Sequence, residues 1–132
     1  AYLLKEVGDR VNVEIFKFIG DFEKAVKERQ PFVVGVSNYM WNINLGYLVA
    51  HLLKKHYPRI ISVFGGPNYP IGPEEQARFM RKYPAVDFWI YRDGEIPFTR
   101  MVRTLLENPD DIQNLQQSQW VTFQIYTNPF LH

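Results

Sequence analysis

Residues 59–70 read RIISVFGGPNYP, an apolar run that stops at two glycines and is followed by prolines at 67 and 70. β-Branched and aromatic residues with that punctuation predict a strand that ends in a rigid turn. Glycine has no Cβ, so Gly65 and Gly66 let another group lie against the backbone, while Pro67 fixes the turn. Two readings compete for this turn. It is either a tight strand-to-helix connection or a turn that keeps a gap open for a flat or bulky ligand.

The pattern on both sides decides the fold class. Downstream, EEQARFMRKYP has helical character, DFWIY is a strand, and Phe98, Met101, Val102, Leu105 and Leu106 form a helical stripe that stops before Pro109. Upstream, Leu45, Leu48, Val49, Leu52 and Leu53 make a helix ended by Pro58. PFVVGVS (31–37) is a continuous apolar strand of the kind buried on both faces of a parallel sheet. Phe22, Ala25 and Val26 follow at helical spacing behind Asp21 as N-cap, and VNVEIFKFI (11–19) alternates like a strand. The opening AYLLKEVG looks like the last turns of a helix closed by Gly8. Strand and helix alternate throughout, which selects an α/β fold with a doubly wound parallel sheet. The segment 110–132 breaks the alternation, and its WVTFQIY run is expected to be an added edge strand or a linker. The expected division is therefore an α/β unit over 1–109 and a tail over 110–132.

Composition bounds the function. With 132 residues, 46% of them hydrophobic, the chain is long enough for one core and too short for two. Fifteen basic and fourteen acidic side chains leave a formal charge of +1, with no block of five like charges, so nothing points to nucleic acid or an anionic membrane. No apolar run approaches the roughly 18–20 residues of a membrane span, and the opening lacks a signal pattern, so a cytoplasmic location is expected. There are no cysteines, which removes disulfides, thiolate metal sites and cysteine-ligated clusters from this chain. An opening on alanine reads as an excised piece of a longer protein.

In doubly wound sheets ligands bind beyond the carboxyl ends of the strands. SNYMWN (37–42), GGPNYP (65–70) and RDGE (92–95) are the segments expected there. Neither G-x-x-x-x-G-K-[ST] nor G-x-G-x-x-G occurs, so the phosphate-loop fingerprints are absent. Ser37 has no histidine beside it in sequence. Glu74 and Glu75 are explained by a helix N-terminus, and Asp93 and Glu95 flank a turn glycine. No catalytic residue is assigned.

VGVSNYMWN, LVAHLLKKHYP, VFGGPNYP and DFWIYRDGEIPF, in that order, resemble the cobalamin-binding-type N-terminal domain of radical S-adenosylmethionine enzymes. The likeness runs to about residue 107 and leaves out the tail. It implies a flavodoxin-like (Rossmann-like) sheet truncated at its N-terminus. It also implies that Ser37 hydrogen-bonds the nucleotide tail of cobalamin while Gly65, Gly66 and Pro67 let that tail pass. Asn38, Tyr39, Met40 and Trp41 would line the corrin crevice, and Gly94 with Glu95 would close its far side. For Tyr39, Met40 and Trp41, core or interdomain packing is an equal alternative. A bulky residue at Gly66 is expected to weaken cobalamin binding more than folding.

The D-x-H-x-x-G loop that supplies an axial histidine in cobalamin-dependent mutases is absent from these residues. His51 and His56 fall in a helix and His132 is terminal, so no metal ligand is assigned. An iron-sulfur cluster and S-adenosylmethionine would belong to a radical domain outside this chain. The resemblance thus implies a domain that is not catalytic alone and has cobalamin and its own radical domain as partners. The alternative is a degenerate module that binds nothing and acts as a packing or substrate-gating platform. In the strand order 2-1-3-4-5 the first strand would lie between 11–19 and 31–37. Its loss predicts direct pairing of those two strands, insertion of the tail strand, or a homodimer through exposed strand edges.

Overall fold

The computed structural model describes residues 1–91 and 93–110, and the backbone of 125–127. Helices α1 (Tyr2–Val7) and α2 (Ile19–Glu28) precede strand β1 (Val33–Ser37), helix α3 (Ile43–His56) and strand β2 (Ile61–Gly65). Then come α4 (Pro73–Lys82), β3 (Phe88–Ile90), α5 (Glu95–Glu107) and β4 (Ile125–Thr127). The sheet order is β1-β2-β3-β4. β1 to β3 run parallel, with Gly35 opposite Val63 and Gly65 opposite Ile90. This is the doubly wound α/β class expected from the alternation, in its flavodoxin-like form.

Side chains alternate across the sheet because a strand has a period of two. Val33, Ile61, Val63, Phe88 and Ile90 point to one face, where Met101, Val102 and Leu105 of α5, with Leu3 and Val11, cover them. Phe64 and Trp89 point to the other, against Ala50, Met80 and Tyr83 of the α3 and α4 layer. Val34 lies on that second face with Val26, Leu53 and Ile60. Trp89 meets Phe64 and Phe79 edge-on and stacks on Tyr69, an aromatic box whose members each contribute about 1.5–3 kcal/mol by burial.

A polar network sits at the amino ends of β2 and β3. The Asp87 carboxylate accepts the Ser62 backbone N–H at 2.7 Å and lies 2.6 Å from Lys54 Nζ. The Ser62 hydroxyl donates to the Ala85 carbonyl at 2.6 Å, and Lys54 also donates to the Ile60 carbonyl at 2.8 Å. Both Ser62 and Asp87 are buried. Both charges of this cluster are therefore paired and hydrogen-bonded, which is the condition for burying charge.

The structure departs from the sequence pattern in four places. VNVEIFKFI is not a strand: Val11 is extended, but residues 11–18 pair with no strand among the described residues, and Ile15 is 90% and Phe18 71% exposed. An alternating pattern makes a strand only when a neighbouring backbone accepts its hydrogen bonds. Asp21 is not the N-cap of α2. Phe18 holds that position, and Asp21 stands in the first turn, where the helix dipole still favours a carboxylate. β1 buries Val34 but leaves Gly35 and Ser37 exposed, because β2 flanks it on one side alone among the described residues. The tail's residues 125–127 are an added edge strand, antiparallel to β3 with Trp89 opposite Tyr126, and not an insert beside β1. The remainder of WVTFQIY, with His132, lies outside the described residues, as does Arg92 of RDGE.

Candidate functional site

The carboxyl ends of the three parallel strands meet at one edge. Ser37 is opposite Gly65 and Gly65 opposite Ile90 in register, and a Cβ on Gly94 would stand 3.4 Å from the Ile90 side chain. Ser37, Gly65, Gly66 and Gly94 therefore share the edge, as right-handed crossovers require.

Side-chain parity then defines a slot. Gly35 and Ser37 follow Val33 on the α5 face, and Gly65 follows Val63 on the same face. In the row nearest the carboxyl edge Ser37 and Gly65 stand beside Ile90, and in the next row Gly35 stands beside Val63 and Phe88, so two glycines and a serine leave the β1 side of this face thinly covered while the β3 side is filled. A Cβ at Gly35 would meet nothing within 4 Å, and one at Gly65 would meet only the Ile90 carbonyl, at 3.9 Å. The strip is open along the sheet, under the N-terminal turn of α5, where Gly94 is the N-cap and Glu95 is exposed.

Gly66 does something different from Gly65. Its φ is 129°, and a Cβ there would lie 2.5 Å from the Asn38 carbonyl oxygen. It is the point where the loop after β2 touches the loop after β1, a conformation and an approach that only glycine tolerates. The cost of enlarging it falls first on the fold. Asn38 is the other half of that contact: it is 1% exposed, its N–H donates to the Gly65 carbonyl at 2.6 Å, and its Nδ2 donates to the Asn68 carbonyl at 2.8 Å. Its side chain is thus committed to the neighbouring loop. Pro67 is exposed on the outside of the same turn, where its carbonyl accepts the Tyr69 N–H at 2.9 Å.

The loop after β1 is tied by Asn42. Its Oδ1 accepts the Tyr39 N–H and its Nδ2 donates to the Ser37 carbonyl, both at 2.8 Å, so the N-cap residue of α3 folds back over the turn and makes no side-chain cap. This turn holds Tyr39 and Trp41 stacked at 4.6 Å with planes 12° apart. Trp41 is 81% exposed and Met40 and Tyr39 are exposed too, so none of the three is core. They form an apolar tip at the mouth of the slot.

His51 and His56 are exposed on α3, and among the described residues no three His, Cys, Asp or Glu side chains cluster. Sequence reasoning passed over Gly35, although a lone glycine within a β-branched strand signals close approach by another group. It also passed over Thr99 of α5, which is buried with a hydroxyl that has no partner among the described residues.

The open strip fits an elongated group laid along the sheet, and the exposed aromatic tip fits a broad one beside it. Residues 2–102 match the family model of the B12 binding domain. Over 82 residues, 62% of this chain, it is 35% identical to a cobalamin-dependent radical SAM methyltransferase, TokK, of Streptomyces tokunonensis. Over 97 residues, 73% of the chain, it is 32% identical to a 2-(S-pantetheinyl)-carbapenam-3-carboxylate methyltransferase of Streptantibioticus cattleyicolor. An uncharacterized methyltransferase of Pyrococcus horikoshii is 28% identical over 111 residues. The matched stretch spans 12%, 14% and 24% of these three relatives. With the family model matching residues 2–102, most of the α/β unit, the chain belongs to the B12-binding domain family.

Proposed function

We propose that this domain holds a cobalamin at the carboxyl edge of its sheet, with the nucleotide tail in the strip formed by Gly35, Ser37 and Gly65. The observation that carries this reading is the open space over Gly35 and Gly65 on the α5 face, where an added Cβ would meet nothing within 4 Å at the first and only the Ile90 carbonyl, at 3.9 Å, at the second. Ser37 would offer its hydroxyl to the tail, Gly94 and Glu95 would border it at the start of α5, and Tyr39, Met40 and Trp41 would receive the corrin. Asn38, Gly66 and Pro67 would serve the site indirectly, by holding two loops at a fixed separation. The cofactor, when bound, would supply cobalt chemistry for methyl transfer, and the residues of this chain would bind and orient it.

The binding unit is taken as 1–109, with 110–132 as the connection to the rest of a longer protein. All three relatives are named methyltransferases and one of them a cobalamin-dependent radical SAM methyltransferase, which supports reading that longer protein as a methyltransferase whose radical S-adenosylmethionine domain, with an iron-sulfur cluster, would use the cofactor held here. The test is direct: mix purified chain with hydroxocobalamin, desalt, and record the visible spectrum. Retained colour near one equivalent with shifted bands is expected. A colourless protein fraction that melts cooperatively would leave the reading without support.

A further inference from the structure

We infer that the outward face of α3 is a self-association surface, on which a second copy of this chain lays its own α3 antiparallel across a two-fold axis at Leu48. The spacing of the helix gives the first argument. Its core side is Gly46, Ala50 and Leu53, all buried. On the opposite side stand Leu45, Leu48 and Leu52, each close to half exposed, with the exposed Trp41 ahead of the helix and the exposed Lys55 near its end. Positions 41, 45, 48, 52 and 55 are separated by four, three, four and three residues. That alternation keeps one line along a helix and is the spacing by which two helices interlock their side chains.

The neighbouring helix gives the second argument. A solvent-facing helix surface normally carries charge, and α4 obeys this rule with Glu74, Glu75, Arg78 and Arg81 exposed. α3 does not. Single exposed leucines are ordinary, but three on one line, continued by a tryptophan, make a connected apolar strip of the kind that meets another surface. α3 contains no acidic residue, so nothing on the helix itself competes for Lys55.

Self-complementarity identifies the occupant. A two-fold axis at Leu48 sets that residue on its own counterpart, Leu45 on the partner's Leu52, and Trp41 on the partner's Lys55. Lys55 makes no ion pair or hydrogen bond among the described residues. Tyr39 stacks on one face of Trp41 and leaves the rest of the indole in solvent, so an ammonium can sit on its open face. Charge also fixes the direction. In a parallel pair the two Lys55 side chains would meet, whereas in the antiparallel pair they stand about 21 Å apart along the helices, beyond the reach of screened repulsion. The strip offers about half of the roughly 800 Å² per partner of a stable interface, so the pair is weak, with a Kd of about 100 µM. The inference rests on α3 alone and stands whether or not a cofactor binds.

Sedimentation velocity and cross-linking of the purified chain test it. The average mass is expected to rise from monomer towards dimer between about 5 and about 500 µM, and Leu48→Glu, which sets two carboxylates face to face, is expected to stay monomeric throughout while still melting cooperatively. The chain has no cysteine, so Leu48→Cys brings one thiol from each copy together at the axis. Under mild oxidation it is expected to form a disulfide-linked dimer about tenfold faster than Leu45→Cys, whose own counterpart lies too far away along the helix pair. A mass that stays monomeric up to the highest concentration would overturn the inference. So would a dimer that persists in Leu48→Glu, since another surface would then hold it, or equal cross-linking of Leu48→Cys and Leu45→Cys, since the two-fold register would then be absent.

Discussion

β2 is five residues long, and its two ends are built on opposite principles. At its start, Ser62 joins Asp87, Lys54 and Ala85 in a buried network in which every charge has a partner. At its end, Gly65 and the Gly66 that follows carry no side chain; a Cβ on the first would meet only the Ile90 carbonyl, at 3.9 Å, while the second lies against the Asn38 backbone. One end spends polar groups to fix the sheet; the other withholds side chains so that something else can approach it. The candidate functional end is marked by small residues on a face that is elsewhere filled.

Removing the network should have the largest effect. Asp87→Ala leaves the Ser62 N–H without its acceptor and Lys54 without its counter-charge, and we expect a loss of about 3 kcal/mol in urea unfolding, with hydroxocobalamin retention by the folded fraction unchanged. A loss under about 1 kcal/mol would mean that solvent replaces the carboxylate and that the two ends are less different than described. Gly66→Ala comes next. The positive φ and the Asn38 backbone together predict a loss of about 2 kcal/mol in the same assay. Gly65→Val sharpens the contrast between adjacent glycines: stability should change by about 1 kcal/mol or less, while cobalamin affinity falls about tenfold or more. A Gly65→Val chain that keeps its colour would move the ligand off the strip.

The smallest effect is at the surface of α2, far from either end. Lys27, hydrogen-bonded to Glu23 at 2.7 Å, holds the Glu23 carboxyl below its ordinary range, and Glu23 in turn raises Lys27. The carboxylate's contribution is therefore present at neutral pH and fades as pH falls through its lowered folded value, while that of the ammonium fades as pH rises through its raised one. Melting temperatures of the wild type and Glu23→Gln should differ slightly at pH 7 and converge in acid. Persistence of the difference in acid would assign it to something other than the pair.

The fold class was legible because PFVVGVS, RIISVFGG and DFWIY are strands whose partners are each other. VNVEIFKFI misled for a physical reason: alternation describes where side chains would point in a sheet, and it holds no information on whether a neighbour is there to pair. Asp21 misled in a similar way, since a carboxylate is as well placed in the first turn as at the cap. That the glycine pair and Ser37 share one edge of the sheet could be read from their positions at strand ends. The division of labour between Gly65 and Gly66 could not, because it depends on a φ of 129° and on a contact with Asn38, 28 residues earlier. Nor could the commitment of Asn38 to Asn68 be read from a residue type that suits a ligand equally well.

That commitment matters for binding strength. Two loops joined through Asn38, Asn68 and Gly66 present themselves as one body, so little conformational freedom remains to be lost when a ligand docks.

The contrast between Trp41 and Trp89 has an optical consequence. Trp41 stands in solvent at the mouth of the strip, whereas Trp89 is 1% exposed at the centre of the aromatic box. Their emission should be separable, with the red component from Trp41 and the blue from Trp89. A coloured ligand seated against Tyr39 and Trp41 would quench the first by energy transfer most strongly, while unfolding would shift the second. With Trp120 replaced by phenylalanine to remove the remaining indole, one fluorescence cuvette would report occupancy and integrity of the same domain at once.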